Sequence, residues 1–262
     1  MQGAAACAIV LGSGLSKLAC GLESLTRIPY ARIPGFGRTS VEGHPGFVSL
    51  SRLAGVPVLL FAGRFHAYEG AAADVLASPV SLAKYAGCSS IIVTQAAGSL
   101  TRRIPTRTWM LATDVIAFPS RSGLCFNREP FSGALGGAGR PRAEPVVSKE
   151  LSAALRRSAL AARIPLAEGV LCWTSGPTYE TAAEARAGAF MGADAATMSS
   201  YPELLAARKI GIEAACISWI TNYTANISED RTVHAEVLDS ADEGARSLGA
   251  LVAAFLHARG TP

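Results

Sequence analysis

Short apolar runs alternate along this chain with longer stretches in which apolar residues return every three or four positions. The runs at 6–11, 47–53, 56–62, 89–94, 109–118, 166–173, 192–197 and 212–220 have the length and branched-aliphatic content of buried strands. Those at 47–53 and 56–62 flank Ala54-Gly55 and predict a hairpin. Helical spacing marks 73–86, ending near Gly87, and 148–162, with Ser148 as cap and Leu151 and Leu155 on one face. It also marks 181–191, 202–209 and a last helix to about 257 that carries Leu248, Leu251, Val252 and Phe255. Ser240 and Glu243 are spaced as a capping box and predict a break in that helix. Strands alternating with helices, without repeat or low-complexity linker, predict an α/β fold. It is expected to be a single domain over 1–262, with a mixed, largely parallel central β-sheet flanked by helices. Only 119–145, rich in Gly, Pro and Arg, follows neither period and predicts a long loop.

Composition narrows the class. Half of the residues are hydrophobic and 17% are charged, the profile of a compact enzyme and not of a disordered chain. The net charge of +4 is scattered, and the basic pairs Arg102-Arg103 and Arg140/Arg142 lack interleaved aromatics, so nucleic acid is not an expected partner. No apolar run reaches membrane-spanning length. The apolar start has no basic residue ahead of it and runs directly into Gly12-Ser13-Gly14, which predicts a first strand in a cytoplasmic protein, not a signal peptide. The six cysteines form no CxxC pair and sit mostly in apolar runs, so buried reduced thiols are expected ahead of disulfides or zinc.

The chemistry collects where strands end. Gly63-Arg64-Phe65-His66-Ala67-Tyr68-Glu69-Gly70 closes one apolar run with a guanidinium, an imidazole, a phenol and a carboxylate. Gly12-Ser13-Gly14 closes the first run. It fits neither the dinucleotide pattern, because Lys17 stands where the third glycine belongs, nor the P-loop. Gly43-His44-Pro45-Gly46, Gln95-Ala96-Ala97-Gly98, Tyr179-Glu180, Met198-Ser199 and Asn222 occupy further ends. Each alone reads as a turn; together they divide into two kinds. Ser13, Arg64, His66, Ser199 and the amide of Ala96 suit a phosphate, whereas Tyr179, Glu180 and Asn222 suit a flat ring with polar edges.

In this order these segments, with Gly176-Pro177-Thr178-Tyr179-Glu180-Thr181-Ala182-Ala183-Glu184 and Gly192-Ala193-Asp194-Ala195, resemble the trimeric purine nucleoside phosphorylases from about residue 8 to the C-terminal helix. The resemblance implies phosphate held by Ser13, Arg64, His66, Ala96 and Ser199, with His44 beside it. It implies ribose contacts from Tyr68, the Met198 backbone and His234, and a purine bounded by Tyr179, Glu180 and Asn222. Asn222, His66 and Glu180 are the implied catalytic residues, and Glu69 would orient His66. The expected reaction is phosphorolysis of inosine and guanosine to free base and (deoxy)ribose 1-phosphate. Inorganic phosphate is the co-substrate; no metal or organic cofactor and no membrane partner is expected, and the assembly is a homotrimer. The alternatives are a phosphorylase for xanthosine or 5′-methylthioadenosine, and a catalytically weak nucleoside-binding homologue. The chain departs from the family at Ser16, Gln95, Ser99 and Thr197, where Gly, Asn, Gly and Gly are usual. Near 119–147 the family carries an aromatic reaching a neighbouring subunit; Glu144 falls near that place, with Phe126 and Phe131 as substitutes.

Overall fold

The computed structural model describes residues 7–41, 43–117, 145–228 and 234–260, without the side chains of 234–239, 241, 242 and 260. The described strands are β1 (Cys7–Leu11), β2 (Ser24–Pro29), β3 (Phe47–Leu53), β4 (Val56–Ala62), β5 (Ser90–Ser99), β6 (Trp109–Ile116), β7 (Leu166–Trp173), β8 (Ala195–Thr197) and β9 (Glu213–Tyr223). The helices are α1 (Lys17–Gly21), α2 (Ala73–Tyr85), α3 (Lys149–Ala161), α4 (Ala182–Phe190), α5 (Tyr201–Ile210) and α6 (His234–Gly260).

All strands join one mixed sheet in the order β2-β3-β4-β1-β5-β8-β7-β6-β9, and β9 also pairs with β5. That second pairing closes β5, β8, β7, β6 and β9 into a ring, from which the other four strands extend as a wing. The long strand β5 makes this possible. Along one edge it meets β1 in parallel at 90–93 and β8 antiparallel at Gly98 and Ser99. Along the other edge it follows β9 in parallel from Ser90 to Ser99.

Apart from the exposed edge strand β2, the strands are apolar because both faces are largely covered. Along β1, Ala8 and Val10 enter one core while Cys7, Ile9 and Leu11 enter the other. Ile91 and Val93 are likewise separated from Ile92 on β5. This is the two-residue alternation of a pleated strand read on two buried faces. Residues of α2 and α5 belong to the first core, those of α3 and α6 to the second. Helix starts follow local rules: the Ser148 hydroxyl accepts the Leu151 amide at 3.1 Å. Thr181 and Glu184 cap α4 reciprocally, at 3.2 and 2.9 Å.

Several expectations are corrected. β5 does not stop at Thr94 but carries Gln95–Ser99 within the sheet, and β9 continues beyond Ile220 through Asn222. β2 was not marked by the pattern because it is an edge strand with most side chains exposed, and α1 is only 5 residues long. α6 runs through Ser240–Glu243 without the expected break. There the backbone carbonyl and hydroxyl of Ser240 accept the Trp219 indole N–H at 2.9 and 3.0 Å, so tertiary packing uses the serine that the local rule assigned to a cap. Cys7, Cys88, Cys172 and Cys216 are buried free thiols as expected, but Cys20 is exposed; Cys125 lies outside the described residues. No described helix is long and apolar enough to cross a membrane.

Candidate active site

A cleft opens where the ring meets the wing, at the ends of β1, β5, β8 and β9. Its lining includes Ser13, His66, Tyr68, Ala96, Tyr179, Glu180, Thr197, Met198, Ser199 and Asn222. Expected residues from six separated segments are thus brought to one surface, whose lining does not include His44 or Arg64.

On one side the histidines form a chain. The Ser13 hydroxyl lies 3.1 Å from His44 Nε2, the His44 and His66 rings are 5.2 Å apart, and His66 stacks on Tyr68 at 4.8 Å. Gly63 lets His44 approach: its φ is +111°, and a Cβ there would lie 2.9 Å from His44 Cβ. Glu69 holds His66 by its backbone N–H at 2.8 Å and its Nδ1 at 3.0 Å, and accepts the Ser40 hydroxyl at 2.6 Å. Burial works to raise the Glu69 carboxyl, but the hydrogen bonds from His66 and Ser40 outweigh it and bring the pKa down to about 2. A depressed carboxyl stabilises the fold above its ordinary value of 4.5, and this contribution is lost as pH falls toward about 2. Urea unfolding should therefore lose stability more steeply in the wild type than in Glu69→Gln between about pH 5 and about pH 3. Parallel pH profiles would remove Glu69 from the acid transition.

Arg64 stands apart from the other expected phosphate residues. It is 1% exposed and is not on the cleft surface. Its Nη1 donates to Ser200 Oγ at 2.8 Å, its Nη2 donates to the Thr94 carbonyl, and its Nε faces Glu203 Oε1 at 3.6 Å. The guanidinium is therefore bonded to Ser200, the neighbour of Ser199. Ser200 is buried, with φ +58°, a conformation that costs a non-glycine residue about 1 kcal/mol or more. Sequence reasoning missed Ser200 and Glu203; the signal available was a second serine beside Ser199 and a carboxylate in the first turn of an otherwise buried helix.

Elsewhere in the lining, Glu180 Oε1 accepts the Thr174 hydroxyl at 3.0 Å. Asn222 is fixed at both ends of its amide: Oδ1 accepts the Thr221 hydroxyl at 2.8 Å, and Nδ2 donates to the Tyr223 carbonyl at 3.0 Å. A bulge between Ala97 and Gly98 brings Gly98 opposite Asn222. A Cβ at Gly98 would lie 2.8 Å from Thr224 and 3.2 Å from the Asn222 amide, so glycine leaves room for this turn. Tyr179 is 44% exposed, placed over the mouth. Burial, with the neighbouring Glu69 and Tyr179, pushes the Tyr68 phenol up to about 12, so it acts as a neutral donor. His234 begins α6 with its side chain outside the described residues, as are Phe126, Phe131 and Glu144. Among the described residues, no group of three or more His, Cys, Asp or Glu is arranged to hold a metal ion.

A histidine, serines, a carboxylate and a carboxamide thus share one cleft in a mixed α/β sheet. The chain belongs to the phosphorylase superfamily, whose family model matches residues 7–257, and its relatives place it among the purine nucleoside phosphorylases. Purine nucleoside phosphorylase 1 of Bacillus subtilis (strain 168) is 37% identical over 231 residues, 88% of this chain and 84% of that protein. The Mus musculus purine nucleoside phosphorylase is 32% identical over 264 residues, covering 95% and 88% of the two chains. The Schistosoma mansoni purine nucleoside phosphorylase in complex with inosine matches with a TM-score of 0.85 and 29% identity, over 100% of this chain and 92% of that one. The same enzyme in complex with adenosine matches with TM-score 0.85 and 29% identity, over 100% and 93%.

Proposed function

We propose that this enzyme phosphorolyses purine nucleosides, with inosine and guanosine preferred. The observation that supports the reading is that Ser13, His66, Ala96, Ser199, Glu180 and Asn222 all line one cleft. A phosphate oxygen attacks C1′ while the C1′–N9 bond breaks, and the bond electrons leave with the purine. Positive charge grows on the sugar and negative charge on the base. Phosphate beside C1′ stabilises the first; the Asn222 amide, donating at N7, stabilises the second before solvent protonates the base. His66, held by Glu69, and the Ser13 and Ser199 hydroxyls bind phosphate, with His44 behind Ser13 and Arg64 contributing its charge from the wall. Tyr68 and the Met198 backbone face the ribose, a role the resemblance also implies for His234, and Tyr179 covers the base. Holding both reactants in one geometry contributes further. No metal or organic cofactor takes part, and by the same resemblance the enzyme works as a cytoplasmic homotrimer.

Glu180 sets the base preference. Thr174 occupies Oε1, leaving Oε2 to accept N1–H and a 2-amino group of a 6-oxopurine. A 6-amino base has no N1–H and leaves the carboxylate unmatched, at a cost of about 1–3 kcal/mol. Initial rates on inosine and guanosine should therefore exceed those on adenosine by about tenfold or more, and should require phosphate. The assay compares turnover and not binding, since the Schistosoma mansoni relative is solved with adenosine as well as inosine. Equal kcat/KM on adenosine would remove the role given to Glu180, and ribose in place of ribose 1-phosphate would make the reaction a hydrolysis. Xanthosine and 5′-methylthioadenosine, run beside them, test the two neighbouring specificities.

A further inference from the structure

Two residues without a role in the proposed reaction, Gln95 and Thr197, are bonded to each other at the cleft. They are 102 positions apart, on β5 and β8. Both are buried, Gln95 at 1% and Thr197 at 5% exposure. The Ser199 backbone N–H donates to Thr197 Oγ1 at 3.2 Å, and the Thr197 hydroxyl donates to Gln95 Oε1 at 2.9 Å. At its other end the Gln95 amide donates from Nε2 to Ser218 Oγ at 3.0 Å. The chain of bonds thus starts at the residue proposed to hold phosphate, crosses β8 and β5, and ends on β9 four positions before Asn222.

We propose that Gln95 and Thr197 form one positioning unit that sets Ser199 for phosphate. The proposal rests on the reading of Ser199 as a phosphate ligand and goes beyond it. The Ser199 amide donates to Thr197, so the link fixes the peptide from which the Ser199 hydroxyl projects. Gln95 reaches both Thr197 and Ser218, and it precedes Ala96, whose backbone lies on the same cleft surface. One side chain therefore ties the two backbone segments of the phosphate side to a common strand. The Thr197 hydroxyl is the only atom of its side chain that can both accept from Ser199 and donate to Gln95. Valine, of similar shape, can do neither. The Thr197 carbonyl separately accepts the Thr174 amide at 2.9 Å, and Thr174 supports Glu180. Substituting the side chain leaves that backbone bond in place, so the base side keeps its geometry.

The test is a set of Thr197→Val, Gln95→Leu, the double variant and Thr197→Ser in full-length protein, read by phosphate and inosine kinetics and by calorimetric titration with inorganic phosphate. Thr197→Val and Gln95→Leu should each raise the phosphate KM about tenfold, with a smaller change in kcat and an inosine KM within about twofold. The double variant should be no worse than either single one, because both break the same link. Thr197→Ser, which restores the hydroxyl, should return the phosphate KM to within about threefold of wild type. Multiplying effects, or a phosphate KM that does not move, would overturn the unit. So would a loss spread equally over phosphate and inosine. If the wild type cleaves no nucleoside in the presence of phosphate, the proposed reaction fails. The positioning unit is then judged by the titration: weaker phosphate binding in Thr197→Val and Gln95→Leu upholds it, and unchanged or absent binding overturns it.

Discussion

Asn222→Ala should lower kcat on inosine by about 10²–10³-fold while phosphate affinity changes by less than about threefold. The purine gains negative charge only as the glycosidic bond breaks, so a donor at N7 acts mainly on the transition state. The fold orients the Asn222 amide proposed for that role. Thr221 binds Oδ1 and the Tyr223 carbonyl takes one Nδ2 hydrogen, which fixes which end of the amide donates and in which plane. An amide already oriented needs little reorganisation when charge appears, and this is why its removal costs far more than one exposed hydrogen bond. Single-turnover rates on inosine, with phosphate titrated calorimetrically in the same variant, separate the two effects. A raised inosine KM with unchanged kcat would mean that Asn222 holds the ground state and leaves the chemistry alone.

The second large effect is on stability. Glu203→Ala should destabilise the protein by about 3–5 kcal/mol, because it leaves the Arg64 guanidinium buried without a counter-charge. Arg64 and Glu203 are 1% and 3% exposed at their side chains, and the Thr94 carbonyl and Ser200 hydroxyl carry no net charge to replace the carboxylate. The double variant Arg64→Met with Glu203→Leu should recover most of the loss, since it buries no charge at all. Denaturant midpoints for the wild type and these variants decide it. A loss below about 1 kcal/mol in Glu203→Ala would place the guanidinium in effective contact with water. Activity need not follow stability here: the double variant also deletes the positive charge proposed to lie behind the phosphate, so it should fold yet bind phosphate weakly.

Much of this molecule was legible along the chain. β1, β3, β4 and β6 through β9 coincide with apolar runs, and α2 through α5 fall where the helical spacing put them, because burial leaves a local imprint of period on each of these elements. The ends of those runs also carried the residues that meet in the cleft. Less legible were segments whose pattern is weak, such as β2, and choices made by packing, such as the use of Ser240 by the Trp219 indole.

The chain alone thus lays down the elements and the inventory of groups near their ends: Ser13, His44, His66, Tyr68, Glu180, Ser199 and Asn222 lie close to strand ends whatever their partners. Which of these groups meet is settled by the fold. It closed β5 against both β8 and β9, seated Arg64 on Ser200 and Glu203, and joined Gln95 to Thr197. Periodicity records whether a side chain is buried, which each segment settles locally. Partnership depends on register between strands far apart in sequence, where a shift of one residue turns a side chain to the opposite face. Two adjacent serines look alike in the chain, and it is Ser200 whose hydroxyl bonds the guanidinium.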